Sequence, residues 1–219
     1  MPAFSVNIPD EGPLRVLAIG CHADDIEIGC GGTLLTLAGH RPEIEVTWVV
    51  LSADGIRRDE AEASARLFAE GAASVDVRIE SFRDGFFPHR GEELKEWFEH
   101  LKGTVEPTVI FTHTDRDRHQ DHRLVSELTW NTFRRHPILE YEIPKYDGDL
   151  GSPNVFVPLA TGVAQRKAQL ISGQFASQSS KHWFDQELLL SLMRIRGIEA
   201  SPPARYAEAF YCRKLSLDL

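Results

Sequence analysis

The chain has 219 residues, of which 42% are hydrophobic and 26% charged, and its formal net charge is −9. That length and composition suit one globular domain over residues 1–219 with a sizeable core. The acidic balance argues against a general binder of nucleic acid or anionic membrane, which needs a basic face. No apolar run reaches the roughly 18 residues of a membrane span, and Met1 to Pro13 lacks the positive-then-apolar pattern of a signal peptide. The three cysteines, Cys21, Cys30 and Cys212, are odd in number and form no CxxC. They suggest buried thiols in a reducing compartment, so a cytoplasmic protein is expected.

Residues 1 to 13 read as an extended arm. Arg15 to Gly20 is an apolar run that reads as a buried strand, and a helix is expected from about Glu27 to Ala38. Glu45 to Leu51, dense in β-branched residues, is a second strand. A helix follows over Arg57 to Ala69 and stops at Gly71. Val75 to Ile79 alternates as a third strand. Leu94, Trp97, Phe98 and Leu101 stand at i, i+3, i+4 and i+7, the apolar stripe of an amphipathic helix. Thr108 to Thr112 is a fourth strand, Asp121 to Phe133 a helix, and Ile138 to Ile143 a fifth strand. Beyond it the pattern loosens, with a strand at Asn154 to Leu159, helices at Gly162 to Ser172 and Gln186 to Arg196, and a last strand at Arg205 to Arg213 that would pair at a sheet edge. The strand–helix alternation predicts an α/β, Rossmann-like, doubly wound and mainly parallel sheet.

Two clusters carry the chemistry. His22, Asp24 and Asp25 fall within four positions after the first strand, and Gly29, Gly31 and Gly32 follow. Residues 113 to 122 hold His113, Asp115, Asp117, His119, Asp121 and His122 directly after the fourth strand. In the common order 3-2-1-4-5 those strands are neighbours and their carboxyl ends flank the topological switch point. The two clusters, about 90 residues apart, are therefore expected to meet in one crevice. Two histidines and a carboxylate with an open position make a hydrolytic zinc site. His22 and Asp25 supply two ligands, and His119 and His122 offer one or two more. Asp24 is then placed to take a proton from water.

His22-Ala23-Asp24-Asp25 with Glu27, Gly31 and Gly32, together with His119-Gln120-Asp121-His122, resembles the LmbE/PIG-L family of zinc-dependent N-acetylglucosaminide deacetylases. Arg57 to Glu60, Asp84-Gly85 and Tyr206 to Phe210 resemble the family's looser signatures. The resemblance implies that His22, Asp25 and His122 bind zinc and that Asp24 is the general base on a zinc-bound water. His119 would stabilise the oxyanion as a protonated ring or protonate the leaving amine, and Arg57 and Asp84 would contact the sugar. The implied reaction hydrolyses the N-acetyl group of an amino sugar or its conjugate, such as an N-acetylglucosamine derivative, to a free amine and acetate. Ala23 replaces the family's proline, which frees φ but removes no functional group. The same ligands accept Fe(II), Co(II) or Mn(II). The expected partner is an N-acetylated sugar or glycoconjugate; no nucleic acid or membrane span is expected, and a homo-oligomer is compatible with the sequence.

Plainer readings stand beside these. Arg57 and Glu60 also fit an ordinary helix pair, and Asp84-Gly85 a simple turn. His113 either orients a ligand or caps its strand. Asp117 either orients His119 or pairs with Arg116 or Arg118, and Asp121 is either a helix N-cap or a partner behind a ligand. Cys21, Cys30, Phe86 and Phe87 read as core, and the remaining histidines as surface or structural. Three other functions compete. A nicotinamide-dependent oxidoreductase lacks GxGxxG and sets two aspartates where a pyrophosphate would sit. A non-catalytic carbohydrate binder with a structural metal would be expected to close its site with four ligands. A two-metal phosphoesterase needs more carboxylates.

Overall fold

The computed structural model describes residues 13–200 and 205–215; the predicted N-terminal arm lies almost wholly outside them. Five parallel strands form the frame: β1 (Arg15–His22), β2 (Glu45–Ser52), β3 (Ser74–Ile79), β4 (Val109–His113) and β5 (Ile138–Tyr141). Their order is β3-β2-β1-β4-β5, as predicted, and β7 (Tyr206–Tyr211) and β6 (Val155–Leu159) extend it to seven strands. The last strand differs from the expected edge position. β7 is not at the edge: it lies between β5 and β6, antiparallel to both, and β6 takes the edge. The strand signal of residues 205–213 does not state a partner, and the all-buried pattern of β7 is what an inner strand needs.

The connecting helices are α1 (Asp25–His40), α2 (Gly55–Phe68), α3 (Gly91–Lys102), α4 (Gln120–Thr132), α5 (Thr161–Gln174) and α6 (Gln186–Glu199). Leu94, Phe98 and Leu101 of α3 are buried with Leu17, Ile19 and Val49 under one face of the sheet. On the other face, Trp48, Phe68, Phe111 and Phe210 share a core with α1. Among the described residues no helix is long and apolar enough to cross a membrane.

α1 is buried through its first ten residues, and its glycines explain why. A Cβ on Gly29 would meet the Tyr141 ring at 2.2 Å, and one on Gly31 would meet Phe68 at 2.5 Å. The Gly-rich segment therefore serves close packing, against the sheet at Tyr141 and against α2 at Phe68, and is not the open turn that cradles a pyrophosphate. That packing holds the start of α1, and with it Asp24 and Asp25, against the carboxyl end of β1.

Candidate functional site

β1 runs two residues past the predicted end, so His22 is its last residue and pairs in register with Ser52 of β2. Asp24 and Asp25 turn the chain into α1. Across the sheet, β4 ends at His113 and the loop that follows delivers His119 as the N-cap of α4 and His122 in its first turn. β1 and β4 are direct neighbours, and the two clusters meet: His22 Nδ1 lies 3.2 Å from His122 Nε2. A cavity of about 440 Å³ opens over them, within the range of small-ligand sites. His22, Asp24, Asp25, Arg57, Asp84, His119 and His122 all line it.

His22 Nδ1, His122 Nε2 and Asp25 Oδ2 form a triangle with sides of 3.2, 3.3 and 3.5 Å. Ligands at about 2.0–2.1 Å in a tetrahedron stand about 3.3 Å apart, so these sides are those of a zinc-like coordination face. The charges suit the same purpose. Burial alone would raise the Asp25 carboxyl, but the charges of His122, His113 and His22 hold it well below the usual range, so it is ionised. Burial and the neighbouring His113 lower His122 to about 4, which leaves its Nε2 lone pair free. Burial also opposes a proton on His22, yet Asp25, Asp121 and Asp84 outweigh it and raise that ring's pKa. A field that draws a proton to His22 also favours a metal cation. The residues present fit a divalent metal with one face open to the cavity.

A deeper quartet, Cys21, Asp25, His113 and His122, also brings ligand-type atoms within 4.8 Å of one another. Burial, then the charge of Asp25, raises the Cys21 thiol well above its ordinary value, and ligation needs the thiolate. Neither Cys21 nor His113 lines the cavity. His113 is fully buried, its ring stacked on His122 at 3.9 Å between centroids. Its Nε2 lies 3.1 Å from the Cys21 backbone N–H and 3.2 Å from Asp25 Oδ2. It therefore accepts the Cys21 N–H, stacks on His122 and lies beside Asp25, and does more than cap a strand.

Asp24 is almost fully buried, and its Oδ1 accepts a hydrogen bond from Arg57 at 3.2 Å. Burial, then the adjacent charge of Asp25, raises its pKa against the pull of Arg57. A carboxylate shifted upward in this way is a better base near neutral pH. Arg57, read from sequence as a sugar contact, spends one donor on this carboxylate. His119 Nδ1 accepts the Asp121 N–H at 3.3 Å. Burial and the charge of His22 lower its pKa, and with Nδ1 engaged as an acceptor the ring's N–H is at Nε2. Asp84 stands on the turn closed by Gly85 at φ 78°, 2.9 Å from His22 Nε2; the hydrogen bond from His22 outweighs partial burial and holds its carboxyl at about 2.

Asp121 is not the cap of α4, which is His119, but it does stand behind a candidate ligand: its Oδ2 lies 3.5 Å from His22 Nε2. Its two oxygens accept the backbone N–H groups of Gly85 (2.6 Å) and Phe87 (3.1 Å), tying the Asp84 turn to α4. Asp117 holds two elements of the site at once: Oδ1 accepts the His119 N–H at 2.7 Å and Oδ2 pairs with His122 Nδ1 at 2.8 Å. Of the two expectations for Asp117, the contact with His119 is found, through that residue's backbone N–H, and not a pairing with Arg116 or Arg118. Lys145, Lys181 and Trp183 complete the wall. They come from the stretch after β5, whose sequence carries no ligand-spacing signal.

The family described as PIG-L, GlcNAc-PI de-N-acetylase, matches residues 17–133, a span that contains every candidate ligand and runs from β1 through α4. The chain belongs to this family. Among curated relatives, this PIG-L family protein is 32% identical over 141 residues to the uncharacterized deacetylase YaiS of Escherichia coli strain K12, over 59% of this chain and 74% of that one. Among solved structures, it shares its fold with N,N'-diacetylchitobiose deacetylase of Pyrococcus horikoshii, with a TM-score of 0.68, 24% identity, and 90% and 83% of the two chains covered. It also shares its fold with GalB, the 4-carboxy-2-hydroxymuconate hydratase of Pseudomonas putida KT2440, with a TM-score of 0.66, 17% identity and coverage of 94% and 99%. One fold thus carries a deacetylase and a hydratase, and the reaction must be argued from the site.

Proposed function

We propose that this PIG-L family protein is a metal-dependent hydrolase that removes the N-acetyl group of an amino sugar or its conjugate, with zinc as the leading metal and the cytoplasm as its setting. The observation that carries the reading is the open triangle of His22, Asp25 and His122 beside a buried carboxylate with raised pKa. The family description and the named deacetylases among its relatives support the acetamide as the scissile group. A divalent metal held by His22, Asp25 and His122 would supply Lewis-acid polarisation of the acetamide carbonyl and lower the pKa of the attacking water.

The chain's own residues do the rest. Asp24 takes a proton from the water as its oxygen bonds to the carbonyl carbon, and Arg57 holds the carboxylate in place. His119 Nε2–H donates to the carbonyl oxygen as negative charge gathers there. The C–N bond then breaks, the amine nitrogen gains the proton, and acetate and a free amino sugar leave. Asp84, exposed at the rim, and the Arg57 donors not spent on Asp24 are available to sugar hydroxyls. The proposal also keeps the chain as a single domain over 1–219.

The test is acetate release from a panel of N-acetylated sugars, with and without chelator. Chelator-sensitive release supports the reading, and no release from any member by the metal-loaded protein counts against it. Elemental analysis of His122→Ala checks the ligand set: stoichiometric zinc retained by that variant overturns the assignment.

A further inference from the structure

The segment after β5 folds back over the site and places one lysine between two carboxylates. Lys145 Nζ lies 2.8 Å from Asp117 Oδ1 and 2.8 Å from Asp149 Oδ2. All three side chains are nearly buried, at 8%, 2% and 6% exposure. Asp149 Oδ2 also accepts the Arg118 N–H at 2.7 Å, so the 145–149 loop is laced to the loop that carries His119 and His122. Asp117 in turn spends Oδ2 on His122 Nδ1.

We propose that Lys145 is a positioning residue for the metal centre: by fixing Asp117 through Oδ1, it aims the His122 Nε2 lone pair at the triangle shared with His22 and Asp25. The inference rests on the metal reading above. An ammonium has three N–H donors, and those of Lys145 face Asp117, Asp149 and the Ile143 carbonyl at 3.4 Å. No donor remains for a substrate, although Lys145 lines the cavity. Without the lysine, Asp117 and Asp149 would be two like charges facing each other in a poorly solvated gap. The 145–149 loop would move away, and Asp117 would lose the contact that sets its rotation. The carboxylate–histidine pairing that orients a ligating imidazole would loosen with it. An exposed pair would count for little; this one is buried on all three members.

The experiment measures Zn(II) and Co(II) affinity by chelator competition and records the Co(II) visible spectrum. Lys145→Met keeps the alkyl stem and removes the charge. It is expected to bind either metal about 10–100-fold more weakly, to change the Co(II) bands, and to keep KM for substrate while kcat falls. Asp149→Asn leaves the Lys145–Asp117 pair and is expected to lose less than Lys145→Met. If Lys145→Met does not fold in its apo form, Lys145→Gln retains a donor for Asp117 without the charge and is expected to show a smaller loss with the same altered bands. Wild-type affinity and an unchanged Co(II) spectrum in whichever of these two variants folds overturn the role of Lys145, whatever its activity. A wild-type protein that binds no metal, or His122→Ala that keeps it, overturns the metal reading itself. The two failures are therefore distinct.

Discussion

Two buried polar clusters share helix α1, and they differ in how their acceptors are met. At its middle, Glu208 of β7 takes the N–H groups of Gly32 and Thr33 at 2.7 Å each, the Thr33 hydroxyl at 2.6 Å and the Lys167 ammonium at 2.6 Å. Lys167 also donates to the Ile28 carbonyl at 2.6 Å. Every charge there has a protein partner. At the start of α1, His22 Nδ1, Asp25 Oδ2 and His122 Nε2 converge on one another, and they open onto a cavity. The first cluster is closed and structural. The second is open on its cavity side. Burial of charge marks both, and what separates a fastening from a site is whether the donors are already supplied.

The largest effect expected from this contrast is at the open cluster. Asp24→Asn removes the base and leaves the triangle, so kcat is expected to fall about 10²–10⁴-fold with metal content unchanged; turnover at the wild-type rate would take the base role from Asp24. Next is the closed cluster. Lys167→Met strands the Glu208 charge in the core, at a cost of about 3–5 kcal/mol, read as a Tm lower by about 10 °C. Its metal affinity should stay within about threefold of wild type, because distant sites are nearly independent. A large loss of affinity without a loss of stability would erase the distinction between the clusters.

The smallest effect is in the pH dependence of the apo protein. Burial pushes the Asp117 carboxyl up, but the hydrogen bond from His122, the charges of His122 and His113 and the bond from Lys145 outweigh it and hold it below the usual range. A folded-state pKa below the unfolded one stabilises above the unfolded value, about 4, and that contribution is lost as pH falls further. Urea unfolding at successive pH values below 4 should therefore show a shallower decline in Asp117→Asn than in wild type, by at most about 1.4 kcal/mol per pH unit. Equal slopes would mean that Asp117 is not held ionised by these partners.

Much of this molecule was legible in advance. The order β3-β2-β1-β4-β5, the amphipathic face of α3, and the meeting of residues 22–25 with 113–122 all follow from local periodicity and one topological rule. The ligand candidates were legible because metal chemistry needs particular side chains at strand ends, and both strands were clear. The long-range contacts of Asp121 and Lys145 were not: Asp121 takes backbone groups of residues 85 and 87, and Lys145 reaches Asp117 from the segment after β5. Such a contact leaves no period and no spacing in the chain.

The sequence by itself therefore determined the strands, their order through β5 and the meeting of residues 22–25 with 113–122, because each follows from hydrophobic pattern and one topological rule. Only the tertiary structure decided that β7 enters between β5 and β6, that the glycines of α1 serve packing against Tyr141 and Phe68, and that Asp117 clamps both His119 and His122. The physical reason is the same in each case: these are choices among partners far apart in the chain, settled by burial, close contact and the need to satisfy buried charge.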